Sequence, residues 1–196
     1  MAGRKQFDME VALDAAMVRF WRAGYAATSV DDLSRATGLN RSSIYSSLGD
    51  KDSLYLRCLD RYATRYGDRY DQALSDASAE PLRAVRAFFD VTLQRIADPA
   101  LPDGCLIAQT AMAIPVLSPA IAARAVQALD AQQARLRTAL TAANLRGTDV
   151  DDFAVHLAAV NQSVAVMSRA GASRQQLRTI IDVSLGALSH AVRSRD

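Results

Sequence analysis

Apolar residues recur at intervals of three and four over most of this chain, the spacing of a buried stripe on a helix. Val11, Ala12, Ala15, Ala16, Val18 and Phe20 predict a first helix from about Asp8 to Ala23, ended by Gly24, with a basic, disordered arm before it over residues 1–7. Trp21 reads as a packing residue, and Tyr25 as cover for the junction with the next helix. Val30, Leu33 and Ala36 give the second helix one apolar face. Ser29 or Thr28 can cap it, and Asp31 and Asp32 suit its positive first turn. Gly38 stops it and permits a sharp reversal. Asn40 can cap a very short third helix, Arg41 to about Leu48, with Ile44 and Leu48 inward; Asp50 can cap a fourth that starts at Lys51.

The fourth helix should be long, over residues 51–75, because Leu54, Cys58, Tyr62, Tyr66 and Tyr70 recur every fourth residue with Tyr55 and Leu59 alongside. The three later tyrosines read either as core with outward hydroxyls or as the wall of a partly polar cavity. Ser75 to Glu80 is a loop, and Pro81 suits the first turn of a helix buried through Leu82, Val85, Phe88, Phe89, Leu93 and Ile96. After the break Asp98 to Gly104, residues 105–113 predict a short apolar helix. After a second break, Ile114 to Pro119, a helix from about Ala120 to Asn144 turns Ile121, Ala125, Ala128, Leu129, Leu136 and Leu140 inward, and Arg146-Gly147 ends it. Phe153, Leu157, Val160, Val164 and Met167 form a seam of coiled-coil type. Past Gly171, Ser173 caps a last helix carrying Leu177, Ile181, Leu185, Leu188 and Val192, with small Ser184, Gly186, Ala187 and Ala191 on its other face. These two helices read either as internal core or as half of a four-helix interface between two chains. The fold class is all-α, with about nine helices.

Two helices joined by a short turn with Gly are the shape of a helix-turn-helix, whose second helix can lie in a DNA major groove. With Ile44 and Leu48 inward, the third helix exposes Arg41, Ser42, Ser43, Tyr45, Ser46 and Ser47. Arginine is the commonest reader of guanine edges, serine serves bases or phosphates, and small side chains let the backbone approach the duplex. A solvated polar helix in a plain bundle has the same pattern.

Thr28-Ser29-Val30-Asp31-Asp32-Leu33, Ala36-Thr37-Gly38-Leu39, Ile44-Tyr45 and Gly49-Asp50-Lys51-Asp52-Ser53-Leu54 resemble the DNA-binding signature of the TetR family of bacterial transcriptional regulators. The resemblance runs without a gap from about Ala12 to Leu56. It departs once: where the family places an aromatic pair or His-Phe after the tyrosine, this chain has Ser46-Ser47-Leu48. Leu48 can still fill the core, but Ser47 has no ring to offer the DNA. The resemblance implies a homodimeric repressor, paired through its last two helices and released from double-stranded operator DNA by a small-molecule effector. It also implies a helix-turn-helix domain over residues 1–50 and a ligand-binding and dimerisation domain over 51–196. Arg41, Ser42, Ser43, Tyr45 and Ser46 are the expected groove and phosphate contacts, with Thr28 and Lys51 clamping phosphates from the flanking helix starts.

Composition narrows the remaining choices. The net charge is +2, and residues 1–65 hold 10 Lys/Arg against 8 Asp/Glu, so the excess sits in the expected DNA-binding part. No apolar run approaches the roughly 20 residues that span a bilayer, and the N-terminus lacks the hydrophobic region of a signal peptide. Two cysteines without paired spacing suit a reducing cytoplasm. With two His far from both, no metal-ligand spacing exists, and neither a phosphate loop nor a nucleophile elbow argues for an enzyme or a cofactor. An effector cavity would draw its walls from Phe88, Phe89, Cys105, Gln109, Met112, Phe153, His156 and Met167, mostly apolar with a few polar groups. Each of these is equally a candidate core residue, and His156 a hydrogen-bonded structural one. Cys105 follows Asp103-Gly104 at a helix start, where the dipole favours a reactive thiolate. Its Gly-Cys-Leu run resembles that of family members which respond to electrophiles and oxidants; a small buried apolar residue is the other reading. The competing functional class is a helical protein-binding module without DNA.

Overall fold

The computed structural model describes residues 2–142 and 148–193, with side chains over 9–142 and 150–193. Among the described residues there are nine α-helices and one short 3-10 turn, and no strand. They are α1 (Ala2–Ala23), α2 (Val30–Thr37), α3 (Arg41–Leu48), α4 (Lys51–Leu74), α5 (Pro81–Ala97), α6 (Leu106–Met112), α7 (Pro119–Ala142), α8 (Thr148–Arg169) and α9 (Arg174–Arg193), with the 3-10 turn at Ile114–Val116. No helix among the described residues is long and apolar enough to cross a membrane. The expected end of α7 near Asn144 and its stop at Arg146-Gly147 lie outside the described residues.

The chain forms two compact units, Met1–Thr64 with Leu106–Val126, and Arg65–Cys105 with Gln127–Asp196. The boundary therefore falls inside α4 and again inside α7.

The first unit is built on α1, which presents Ala12, Leu13, Ala16, Met17, Phe20 and Trp21 to the core. Trp21 meets Tyr62 edge-on at 5.1 Å and Phe20 meets Tyr55 at 4.7 Å. Arg61 of α4 clasps α1 through both carboxylate oxygens of Asp14, at 2.7 Å each, and through Glu10. The expected face of α1 was rotated: Val11 is half exposed and Ala15 and Val18 are only half-buried, while Leu13 and Met17 are inside. Small Ala and Val residues define a helix face poorly, and the larger Leu13, Met17 and Trp21 decide it. The disordered arm expected over residues 1–7 is also corrected, since α1 is helical from Ala2, with Ala2, Arg4, Lys5 and Gln6 the good helix formers at its start.

In the second unit, α5 buries Ala84, Val85, Phe88, Phe89, Val91, Thr92 and Arg95, so Leu82, Leu93 and Ile96 are only half-buried. On α7, Ala128 and Leu129 are half-buried while Gln132 is inside. On α8, Leu157, Val160 and Val164 are buried as expected, with Ala154, Asn161, Ala165 and Ser168 buried beside them, whereas Phe153 is half-buried and Met167 faces out. The last helix follows expectation through Leu177, Ile181, Leu185 and Leu188. Ser173 starts it with a reciprocal cap, its hydroxyl accepting from Gln176 N–H while Gln176 Oε1 accepts from Ser173 N–H.

Two glycines shape the short helices. Gly38 ends α2 at φ 71°, with open space where a Cβ would stand. Gly49 follows α3 at φ 85° and ψ −162°, where an added Cβ would meet Ser53 Cβ at 2.8 Å. Gly38→Ala should therefore cost about 1 kcal/mol from backbone strain alone. Gly49→Ala combines a backbone region reserved for glycine with a clash, and should cost about 3 kcal/mol. Urea midpoints of the two variants check this; equal midpoints would show that the Ser53 contact relaxes freely.

Candidate nucleic-acid interface

The α2–turn–α3 segment is specified locally at each end. Ser29 caps α2 in a complete capping box: its hydroxyl accepts from Asp32 N–H, and Asp32 Oδ2 accepts from Ser29 N–H at 2.9 Å. The Ser29 N–H, and then the Ser29 hydroxyl, which donates to the same Oδ2 at 2.7 Å, hold the Asp32 carboxyl far below the usual carboxylate range, and Arg19 and Arg35 add to the effect. Gly38 closes the helix, its N–H donating to Ser34 O. Asn40 Oδ1 accepts from Ser43 N–H to start α3, and Asp50 Oδ1 accepts from Ser53 N–H to start α4. Leu33 of α2 and Ile44 and Leu48 of α3 are buried. The turn angle between the two helices thus rests on three apolar anchors and matched caps.

The remaining faces of α3 are open. Arg41, Ser42, Tyr45, Ser46 and Ser47 are exposed, Tyr45 at 54% of its surface, and Ser43 is half-buried. Ser46 donates to Ser43 O at 3.3 Å. Arg41 is paired with Asp31 across the turn, Nε to Oδ1 at 2.6 Å and Nη2 to Oδ2 at 2.5 Å. The Arg41 hydrogen bonds lower the Asp31 pKa and raise that of Arg41. Lys51 is half-buried with Nζ 4.2 Å above the ring of Tyr25, and this burial lowers its pKa. Tyr25 in turn donates its hydroxyl to Asp52; burial, then that carboxylate, pushes its pKa up to about 12.

Thr28 does not fit the phosphate clamp expected of it. It is fully buried, its hydroxyl donates to Gly24 O at 2.7 Å, and its N–H donates to Tyr25 O. It latches the α1–α2 corner instead, because an oxygen one turn from a helix C-terminus finds an orphan carbonyl before it finds solvent. Two groups escaped the sequence reading. Arg57 of α4 donates to Ser47 O at 3.0 Å, and Asp31 was read only as a helix-start charge. Both pairings cross between helices ten residues apart in sequence, so no local periodicity announces them.

The expected effector residues divide. Phe88 is fully buried, tilted against Tyr70 at 4.5 Å and edge-on to Phe89 at 5.4 Å. Cys105, just before α6, and Phe153 are half-buried. His156 is corrected: it is exposed, with Nε2 3.2 Å from Ser184 Oγ of α9, and so faces its neighbouring helix and solvent. Met112 is also corrected, being 64% exposed on the last turn of α6. Gln109, half-buried, and Met112 belong to the first compact unit, whereas Phe88, Cys105, Phe153 and His156 belong to the second. The buried polar cluster of the second unit lies elsewhere. Tyr70 Oη and Thr92 Oγ1 are 2.7 Å apart, Thr92 donates to Asn161 Oδ1 at 2.7 Å, and Asn161 Nδ2 donates back to Tyr70 Oη at 3.5 Å. Polar residues at core positions of apolar stripes were its available signal.

Comparison with known proteins finds two family matches. Residues 12–58 match the family described as bacterial regulatory proteins, tetR family, and residues 81–183 match the tetracyclin repressor-like C-terminal domain. The HTH-type transcriptional repressor ComR of Escherichia coli (strain K12) is 29% identical over 186 residues, covering 92% of this chain and 89% of its own. A TetR family transcriptional regulator from Agrobacterium tumefaciens superposes with a TM-score of 0.83 at 22% identity, over 93% of this chain and 97% of that one. A cysteine mutant of the TetR family regulator CifR, solved with 26-bp double-strand operator DNA, superposes at 0.76 with 24% identity, over 90% and 94%.

The acidic caps give the fold a pH dependence of fixed sign. A carboxylate whose pKa is lower folded than unfolded contributes stability above its unfolded value, and loses it as pH falls through the folded value. Asp32 has a large shift of this kind. The stability difference between wild type and Asp32→Asn should be full at neutral pH and narrow as the pH falls below about 4. Thermal unfolding of both across that range checks it, and a pH-independent gap would remove the assignment.

Proposed function

Because the chain belongs to the TetR family of bacterial regulatory proteins, we propose that it is a DNA-binding transcriptional repressor that leaves its operator when an effector acts on its C-terminal part. The supporting observation is the open face of α3: Arg41, Ser42, Tyr45 and Ser46 stand exposed on a helix whose other side is anchored by Ile44 and Leu48. Such a helix presents guanidinium, hydroxyl and phenol donors to base edges and phosphates without moving its own core. Ser43 contributes at the margin, and Lys51 reaches a phosphate from the start of α4. Residues 1–50 carry the DNA contacts other than Lys51; residues 51–196 carry effector binding and dimerisation.

Dimerisation through α8 and α9 brings two reading helices to successive major grooves of a twofold site. Those helices leave Val155, Val166, Met167 and Val183 exposed, the last at 70%, and Gly186 has open space where a Cβ would stand. Apolar and small residues together form a surface on which a second copy can approach closely. The effector then acts by population shift, favouring dimers whose reading heads no longer match the groove spacing. It is a small hydrophobic or thiol-reactive molecule. Of the two thiols, Cys58 is fully buried and burial pushes its pKa up, whereas Cys105 is only half-buried.

An electrophoretic shift against the DNA flanking its own coding region tests the central claim, and a plain protein-binding module would shift none of it. Arg41→Ala should weaken specific binding by about 1–3 kcal/mol; an equal loss on random DNA would reassign Arg41 to phosphate. Cys105→Ser should bind the operator as wild type does but resist release by N-ethylmaleimide. Unchanged release would dismiss the thiol route and leave the non-covalent effector.

A further inference from the structure

The Arg41–Asp31 pair is side-on: the carboxylate takes Nε–H and one hydrogen of Nη2. Arginine carries five N–H donors in a rigid planar fork. The end-on pair, one hydrogen each from Nη1 and Nη2, therefore points away from Asp31. Two parallel donors on one edge are what guanine O6 and N7 accept in the major groove. We propose that Asp31 is a specificity-determining residue that orients Arg41 end-on for guanine, an inference that rests on the operator-binding reading above.

Three observations carry this beyond an ordinary surface ion pair. First, α2 does not require Asp31 to begin, because Ser29 and Asp32 already form a complete capping box there. Second, both oxygens of Asp31 are engaged by one guanidinium, which fixes the plane of the fork as well as its position. Third, the pair cancels the charge of Arg41. A phosphate contact gains from net positive charge, whereas a base contact gains from directed donors; a neutralised, oriented guanidinium suits only the second. The exposed pair is weak in water, but strengthens where bound DNA excludes solvent. Asp31 also repels phosphates, which lowers affinity for DNA of any sequence. It thus raises the specificity ratio from both sides.

The test starts from a preferred duplex selected by the wild-type chain from a randomised pool. Affinities are then measured for that duplex, for variants replacing each guanine in turn, and for random duplex, at several salt concentrations. Wild type should lose about ten-fold or more when one particular guanine per half-site is replaced. In Asp31→Asn that penalty should shrink to about three-fold or less, while random duplex binds more tightly with a steeper salt slope. Arg41→Ala should abolish the same penalty, and adding Asp31→Asn to it should change the penalty no further. Asp31→Ser, which keeps a residue suited to a helix start, should repeat the Asp31→Asn result if the carboxylate is what matters. An unchanged guanine penalty in both Asp31 variants overturns this inference while leaving operator binding intact. So does a preferred site in which no guanine responds to Arg41→Ala. A wild-type chain with no salt-sensitive affinity for any duplex overturns the operator-binding reading and this inference together.

Discussion

An eight-residue helix such as α3 makes too few backbone hydrogen bonds to offset its own nucleation in water. It exists because Ile44 and Leu48 are removed from solvent, each worth about 1.5–3 kcal/mol, and because Asn40 supplies the acceptor that the first turn lacks. These residues occupy one narrow stripe. The other faces are consequently released from any structural duty, and serine, an indifferent helix former, can be used there freely. The exposed chemistry of α3 is affordable only because its hidden side is so strongly specified.

The same division of labour recurs in Tyr55 and Tyr70 of α4, whose rings are buried and whose hydroxyls find partners inside their own compact units. Tyr55 Oη lies 2.7 Å from Thr110 Oγ1, and Thr110 in turn donates to Leu106 O, which ties α4 to α6. About four turns further along the helix, Tyr70 closes its circuit with Thr92 and Asn161, tying α4 to α5 and α8. A buried hydroxyl without its partner costs about 1–3 kcal/mol. Each circuit therefore resists small displacements of α4 more sharply than apolar contact would.

The legible parts of the chain were those governed by short-range chemistry. Ser29, Asn40, Asp50, Ser173, Gly38 and Pro81 mark helix ends through bonds or torsions within a few residues, and each stands where its chemistry places it. The stripe Leu54, Cys58, Tyr62, Tyr66 and Tyr70 marks the buried side of α4 because apolar and aromatic residues recur there without competition. Faces made of Ala and Val were less legible, as the rotation of α1 about Leu13 and Met17 shows. Buried polar residues were the least readable: Thr92, Arg95 and Asn161 sit where periodicity asks for apolar side chains, and only their partners on other helices explain them. Thr28 failed for the complementary reason, since a threonine at a helix corner reads as a surface group until the carbonyl that captures it is seen.

Charge at the reading head follows from these packing rules. Arg41 faces Asp31, Arg35 and Arg19 both reach Asp32, and Arg57 donates to the Ser47 carbonyl. Exposed pairs of this kind contribute about 0–1 kcal/mol to the fold, so the fold depends little on any one of them. With acids interleaved among the bases, the head holds no strong field of one sign, in keeping with a whole-chain charge of only +2. Long-range attraction to duplex DNA, which grows with uncompensated charge, is accordingly modest. On the operator-binding reading, affinity must then come from geometry: donors fixed at the right spacing on a helix that cannot tilt, presented twice by a paired body. A head of this design gives up indiscriminate adhesion, and gains in discrimination what it loses there.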